Sequence, residues 1–439
     1  MRIVEEVSIT NYKGIRELSI DASHINIIVG RNNTGKSSIL EAIGLTLSSL
    51  NGFKDSFNKK MFDVMFKNKS LRNFRYLINL NSNAATLSTK IHSDSHLSEV
   101  EVELKYFKNF EELENNAELR NLFLEFLENL FKTKPFTKYL TENFYYSFET
   151  YPIREYAIEL ELLLNKLKSL KKLEYHKKED ALKEKLKTES YISQIQKKIE
   201  DEKMRIKTKL LKSKKLFIIT RVNKEVKDVS FTYFPNGPSS LISLFLEEKE
   251  YVPKIPFVFA SGRRGYSRDI FDLYVKLSKA PEYLYETLNL IKERIPYVLD
   301  IRQIERDIFV IIQEQKKVKI PIQLMGDGFI NLVRLAFITS LSKNGVALLE
   351  EPETTLHPGF MNILAEDIVG YSNYTQFFLT THSSELLEEI LEVAKEKDLL
   401  DNVNIIRVFK QRDLVDREIL SGSEALDEIT TIKTDLRGY

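Results

Sequence analysis

The stretch Gly30-Arg31-Asn32-Asn33-Thr34-Gly35-Lys36-Ser37 restricts the fold of this chain more than any other. It matches G-x-x-x-x-G-K-[ST], and its flanks are those the pattern needs. Ile25–Val29 ahead of it is short and rich in β-branched residues, as a buried strand is. Ser38-Ile39-Leu40-Glu41-Ala42-Ile43 behind it has helical periodicity. A strand, a glycine-bearing loop and a helix start, in that order, aim successive backbone N–H groups at an anion. The sequence therefore predicts a phosphate-binding loop, in which Gly30 through Ser38 enclose the phosphates of a nucleotide. Lys36 would bridge the β- and γ-phosphates, and Ser37 would ligate Mg²⁺. Ile3–Ile9 and Ile15–Ile20 read as further strands, parted by the turn Asn11-Tyr12-Lys13-Gly14.

Three more segments carry chemistry far along the chain. Val346-Ala347-Leu348-Leu349 is an apolar strand ending in Glu350-Glu351-Pro352-Glu353. Such a strand delivers its first acid, Glu350, to the metal and its second, Glu351, to the attacking water as general base. Gly326-Asp327-Gly328 opens an apolar-periodic helix (Ile330, Leu332, Val333, Leu335, Ala336, Ile338) and offers its N–H groups to an anion. Phe377-Phe378-Leu379-Thr380 is a strand followed by Thr381-His382-Ser383-Ser384 and a helix over Glu385–Lys397, capped by Ser383 or Ser384. Strand ends in an open α/β sheet are where ligands bind, which places His382 as a γ-phosphate sensor. Lys36, Glu351 and His382 are the expected catalytic set. His24, His92, His96, His176 and His357 lack metal-ligand spacing, so no zinc site is expected.

The composition supports a large, cysteine-free chain with real cores. It has 439 residues, 43% of them hydrophobic, which is enough for two or three domain-sized units. The absence of cysteine excludes a disulfide scaffold and thiolate chemistry. No apolar run approaches the roughly 20 residues a bilayer span needs, and Met1–Glu6 is no signal peptide. A cytoplasmic protein without membrane contact is expected.

Near-neutrality hides a strong asymmetry. Residues 166–215 hold seventeen Lys and Arg205 against eight acids, a local charge of +10 within a chain of +1. The same region lies in a glycine-free stretch, residues 53–236, and has no proline between Pro152 and Pro235. Leu160, Leu163, Leu167 and Leu170, then Ile192, Ile195, Ile199 and Ile206, keep a heptad-like seam. Residues 155–215 are read as one or two long charged helices, most simply a hairpin turning near Glu174–Asp180 or Lys187–Ser190. Two uses stay open for its lysines: a solvated arm, or contacts to nucleic-acid phosphates.

The order of these segments resembles the ABC-type ATPase heads of SMC, RecF and OLD (overcoming lysogenisation defect) proteins. Gly30 through Ala42, Met325-Gly326-Asp327-Gly328-Phe329, Glu350-Glu351-Pro352-Glu353 with Leu356-His357-Pro358, and Thr380-Thr381-His382-Ser383 look like the OLD branch. Phe257 through Gly265, with Arg263 and Arg264, resembles the strand-plus-arginine segment before the signature, and Asp435-Leu436-Arg437 resembles the close of the head. The resemblance implies an α/β P-loop NTPase of ABC-head type with an antiparallel β-lobe and a helical, coiled-coil-like insertion. It implies a homodimer that sandwiches two ATP with Mg²⁺, Gly326, Asp327 and Gly328 of one head meeting the γ-phosphate held by the other.

Three departures bear on turnover: Gly326 where many signatures have Ser, Asn331 where this branch is often basic, and Glu350 in place of Asp. OLD nucleases continue into a Toprim domain, whereas this chain closes at Tyr439, so no nuclease activity in cis is expected. Expected boundaries are 1–106 for the first half of the head, 107–215 for the helical insertion and 216–439 for the second half. Ser98–Tyr106, with its period-two alternation, Leu77–Ile91 and Leu216–Phe234 are assigned to the β-lobe, and 235–256 to the return into the head. The expected function is an ATP-driven dimeric switch in anti-phage defence or DNA maintenance, with DNA and an effector protein in trans as candidate partners. The alternatives are a slowly hydrolysing, nucleotide-gated scaffold and a DNA-repair ATPase resembling RecF.

Overall fold

The computed structural model describes residues 3–56, 61, 74–93, 96–132, 178–234, 242–243, 255–261, 266–314, 316–412 and 414–432. Among these the strands form three sheets. The central one is built on β3 (Ile25–Val29), every residue of which is buried. Its neighbours give the order β16-β15-β3-β14-β13-β9, with β9 Phe257–Ser261, β13 Gly345–Glu350, β14 Thr375–Thr380, β15 Val403–Gln411 and β16 Leu414–Ser421. All pairings are parallel except the β15–β16 hairpin at the edge.

Period-two alternation divides these buried strands between two cores. Ile27, Val29, Ala347, Leu349, Phe377, Leu379 and Ile405 face one side, with α7 (Asp327–Leu341), α8 (Pro358–Tyr371) and α9 (Ser384–Glu396). Ile28, Val346, Leu348, Phe378 and Ile406 face the other, against Ile39, Leu40 and Ile43 of α1 (Lys36–Ser49). Residues α1 leaves free of the central sheet meet the second sheet in the same core, so α1 lies between the two.

That second sheet is antiparallel at every pairing, in the order β2-β1-β4-β5-β6-β7-β8. It comprises β1 Val4–Tyr12, β2 Ile15–Asp21, β4 Ala84–Ser93, β5 His96–Phe107, β6 Lys214–Val222, β7 Glu225–Phe234 and β8 Ile242–Ser243. Inward positions of β5 (Val100, Val102, Leu104) are fully buried and alternate with its glutamates, which is the β-lobe expected from the sequence. A third, three-stranded sheet was not expected: β10 Val298–Ile304, β11 Asp307–Gln313 and β12 Lys317–Pro321 form two hairpins. They follow α5 (Tyr266–Leu277) and α6 (Pro281–Arg294) and close the first core from below with Val298, Ile301, Ile308 and Val310.

Between β5 and β6 come α2 (Phe110–Glu114), α3 (Ala117–Lys132) and α4 (Lys178–Lys212). α4 is one continuous helix of 35 residues, roughly 50 Å long. It runs unbroken through Lys187–Ser190, which corrects one of the two expected turn positions. The cause is plain: this segment has no Gly or Pro, and Ile192, Ile195 and Ile199 form a single buried seam on the helix beyond it. Of the other turn position, Lys178–Asp180 is helical and 174–177 lies outside the described residues, as do the leucine seam Leu160–Leu170, the side chain of Ile206, Arg263–Gly265 and Asp435–Arg437.

The root of α4 is fixed to the β-lobe by a small aromatic core. Phe123 of α3 stands edge-on to Phe231 of β7, centroids 5.2 Å apart, and both pack with Phe217, Ile219 and Leu210. Lys215 is buried at this root. Its Nζ donates to the carbonyls of Leu211 (3.1 Å) and Ser213 (2.7 Å) and sits 5.2 Å from the Phe123 ring. It therefore caps carbonyls that α4 leaves open at its C-terminus. Burial pushes the Lys215 ammonium down to about 8. No helix of the described residues is long and apolar enough to cross a membrane.

Lys215 makes stability depend on alkaline pH. The folded chain releases this proton near pH 8, while the unfolded chain holds it to about 10.5. Across that window the unfolded state binds more protons, so stability rises with pH. Chemical denaturation of wild type and Lys215→Met at pH 7 and pH 10.5 should show the wild-type advantage growing by roughly 3 kcal/mol. A difference that stays flat with pH would reject this origin.

Candidate active site

Three loops leave the central sheet at one edge because its strands are parallel and in register. Ser261, Glu350, Thr380 and Ile28 stand side by side across β9, β13, β14 and β3. Each strand ends there or within one residue, so the segments beginning at Gly30, Glu351 and Thr381 start together. This edge is the carboxyl end of the strands, where α/β sheets bind ligands.

The first segment is the loop before α1. Gly30 has φ 144°, and a Cβ on it would lie 2.1 Å from the Val408 carbonyl oxygen of β15, so no other residue fits. Asn33 is left-handed at φ 64°, as is the N-cap Gly35 at φ 102°. Arg31, Asn32 and Asn33 are exposed, and the buried Thr34 ties the loop by donating from its hydroxyl to the Arg31 carbonyl at 2.9 Å. Lys36 turns back into the loop, where its Nζ donates to the carbonyls of Gly30 (2.6 Å) and Arg31 (2.8 Å). Ser37 and Ser38 follow in the first turn of α1, which contains no acidic residue. An ammonium, a helix N-terminus and a glycine-cornered loop thus converge on one point, an arrangement that suits a phosphate chain. Beside it opens a cleft of about 530 Å³ lined by Arg31, Asn32, Thr34, Arg407, Lys410 and Glu418.

The second segment holds the acids. Glu350 is buried at the end of β13. Glu351 takes a left-handed conformation, φ 47°, and its N–H donates to the Thr380 carbonyl (3.0 Å) and hydroxyl (3.2 Å). This turn aims its carboxylate at the third segment: Glu351 Oε1 lies 3.6 Å from His382 Nε2. The third segment ends in Ser383, which caps α9 by accepting from the Leu386 N–H at 3.1 Å.

Two further residues hold these segments, and neither was assigned a place in the site from sequence. Glu353 Oε1 accepts from the Thr381 hydroxyl (2.7 Å) and from the His382 N–H (2.9 Å). Burial raises the Glu353 carboxyl above the ordinary range, against the pull of those donors. Asn331, noted only as a departure, is buried on α7 and donates from Nδ2 to the carbonyls of Pro352 (3.0 Å) and Thr354 (2.9 Å). Gly328 in the same helix packs so closely that a Cβ would lie 2.8 Å from the Thr355 carbonyl oxygen. Gly326 and Asp327, at the start of α7, are exposed. The oxygen donors Ser37 and Glu350 are of the type a hard cation such as Mg²⁺ requires.

Comparisons with known proteins identify a family and several relatives of this chain. The model of the AAA ATPase domain family matches residues 1–387. An uncharacterised protein of Methanocaldococcus jannaschii is 31% identical over 120 residues, 26% of this chain and 100% of that protein. The endonuclease GajA of Bacillus cereus is 32% identical over 96 residues, 20% of this chain and only 15% of that protein. Among solved structures, the Pyrococcus furiosus Smc head domain with an extended coiled coil, bound to the C-terminal domain of ScpA, has a TM-score of 0.46 at 13% identity, covering 99% of this chain and 100% of that one. Because the family match takes in every motif from the Gly30–Ser38 loop to the His382 loop, the chain belongs to the AAA ATPase domain family.

Proposed function

We propose that this chain is an ATP-binding and ATP-hydrolysing switch that works as a homodimer in the cytoplasm. The observation that carries the proposal is the convergence of the Gly30–Ser38 loop, Glu350–Glu351 and His382 at one sheet edge, with His382 Nε2 3.6 Å from Glu351 Oε1. In this reading the loop N–H groups and Lys36 bind the β- and γ-phosphates. Glu351 accepts the proton of the attacking water, and His382 orients the γ-phosphate from the other side. Ser37 and Glu350 would hold Mg²⁺, which supplies charge neutralisation on the phosphate oxygens. The exposed start of α7 would meet nucleotide on a second copy, so that ATP joins two heads and its hydrolysis parts them. The partial likeness to an endonuclease supports a role in anti-phage defence or DNA maintenance with an effector in trans.

Substitution separates binding from chemistry. Glu351→Gln should retain ATP binding and lower kcat by about 10²–10⁴-fold, whereas Lys36→Ala should lose nucleotide binding itself. Equilibrium binding and phosphate release on the two variants check this; wild-type turnover by Glu351→Gln would end the assignment.

A second reading of the arm follows from the Lys-rich α4: it contacts nucleic-acid phosphates. Changing Lys183, Lys187, Lys197 and Lys207 to Gln should then reduce the slope of log K against log salt by roughly 3–4 for duplex DNA. An unchanged slope would leave the arm as a solvated lever.

A further inference from the structure

We propose that Glu353 is a positioning residue for hydrolysis, holding the segment that carries His382 in register with Glu351. This inference rests on the ATPase reading above. Glu353 belongs to the loop after β13, while His382 belongs to the loop after β14, and its carboxylate is what joins them. One oxygen, Oε1, takes both the Thr381 hydroxyl at 2.7 Å and the His382 backbone N–H at 2.9 Å. The Thr381 hydroxyl in turn accepts the Ser383 N–H at 2.9 Å, and Ser383 caps α9. The Thr381 N–H donates to the Ile28 carbonyl at 3.2 Å, two residues before the phosphate loop. Two successive residues of the histidine loop are thereby fixed on one acceptor, and the third, Ser383, on the Thr381 hydroxyl.

The backbone beneath Glu353 is clamped as well. Asn331 holds the carbonyls on either side of it, those of Pro352 and Thr354, and the Glu353 carbonyl accepts the Leu356 N–H at 2.9 Å. A carboxylate on a clamped backbone has little freedom, so its acceptor oxygen is a fixed point. The other oxygen, Oε2, is buried and makes no hydrogen bond among the described residues. Burying half a carboxylate this way is costly, and a loop that needed only a cap would be served by a smaller, neutral acceptor. The Glu351 N–H is bound to Thr380, the residue before Thr381, so both partners of the 3.6 Å contact are tied to one short run at the end of β14.

The test reads turnover, nucleotide affinity and a double-mutant cycle. Glu353→Ala should lower kcat by about 10–100-fold, the scale of a displaced catalytic group, with ATP affinity within a few-fold of wild type. Glu353→Gln keeps an acceptor oxygen and should recover most of the turnover. In a His382→Ala background, Glu353→Ala should add nothing. Thr381→Val, which removes one donor and leaves the acid in place, should reproduce the kcat loss even where Glu353→Ala fails to fold. Equal losses in wild-type and His382→Ala backgrounds, or unchanged kcat in both Glu353→Ala and Thr381→Val, overturn the proposal. The wild-type chain and Glu351→Gln are measured alongside: if the wild-type chain releases no phosphate from ATP, the ATPase reading fails; if wild type is active and Glu351→Gln is dead while Glu353→Ala and Thr381→Val keep wild-type turnover, only the positioning role fails.

Discussion

Parallel pairing of β3 with β14, and of β14 with β13, sets where everything else in this molecule can work. In a parallel ladder the strand ends are not free to shift independently, because a slip by one residue would exchange the two faces of each strand. Here both faces are buried: Ile27 and Val29 belong to one core and Ile28 to the other. The register Ile28–Thr380–Glu350 is thus enforced by two cores at once, and it brings together segments that lie more than three hundred positions apart in sequence. The loop, the acids and the histidine inherit their positions from packing rather than from contacts with each other.

The same reasoning explains how the fold tolerates so much chain in its middle. β5 and β6 are antiparallel neighbours, with Phe107 opposite Lys215. Residues 108–213 therefore leave and return at adjacent points of the β-lobe, and closing a long excursion costs only slightly more than closing a short one. What the excursion needs is a firm root. The Phe123, Phe217 and Phe231 cluster and the buried Lys215 provide it, at the expense of burying an ammonium group.

How much of this was legible in the sequence depended on how local each signal was. The strand, loop and helix around Gly30–Ser38, β13 with its acids and the alternation of β5 are complete within a few residues, and these elements appear in the fold as expected. β10–β12 were not read, because charged residues such as Arg302, Asp307, Lys317 and Lys319 interrupt short strands, of which β10 and β11 bury only some positions and β12 none. The position of Lys187–Ser190 in an unbroken helix was ambiguous because helix propensity says little about where a hairpin turns. Asn331 and Glu353 were the least legible. Asn331 bonds to carbonyls 21 and 23 positions away, and Glu353 to donors 28 and 29 positions away. No periodicity encodes a polar contact at that range, so Asn331 reads as an oddity in an apolar helix until its partners are in place.

Those two residues also determine which parts of the molecule can move together. α7 is held to the loop after β13 by two hydrogen bonds from a buried amide and by a glycine contact too close to admit a side chain. Sliding α7 past that loop would break both hydrogen bonds and orphan the Pro352 carbonyl in a buried setting, at about 1–3 kcal/mol. Rigid displacement of both is cheaper. A force applied at the exposed Gly326–Asp327 end of α7 therefore acts on the backbone that carries Glu351 and Glu353, and through Glu353 on the histidine loop. Packed elements respond to such forces as bodies rather than by bending. The surface that faces outward and the carboxylate at the sheet edge therefore belong to one mechanical unit.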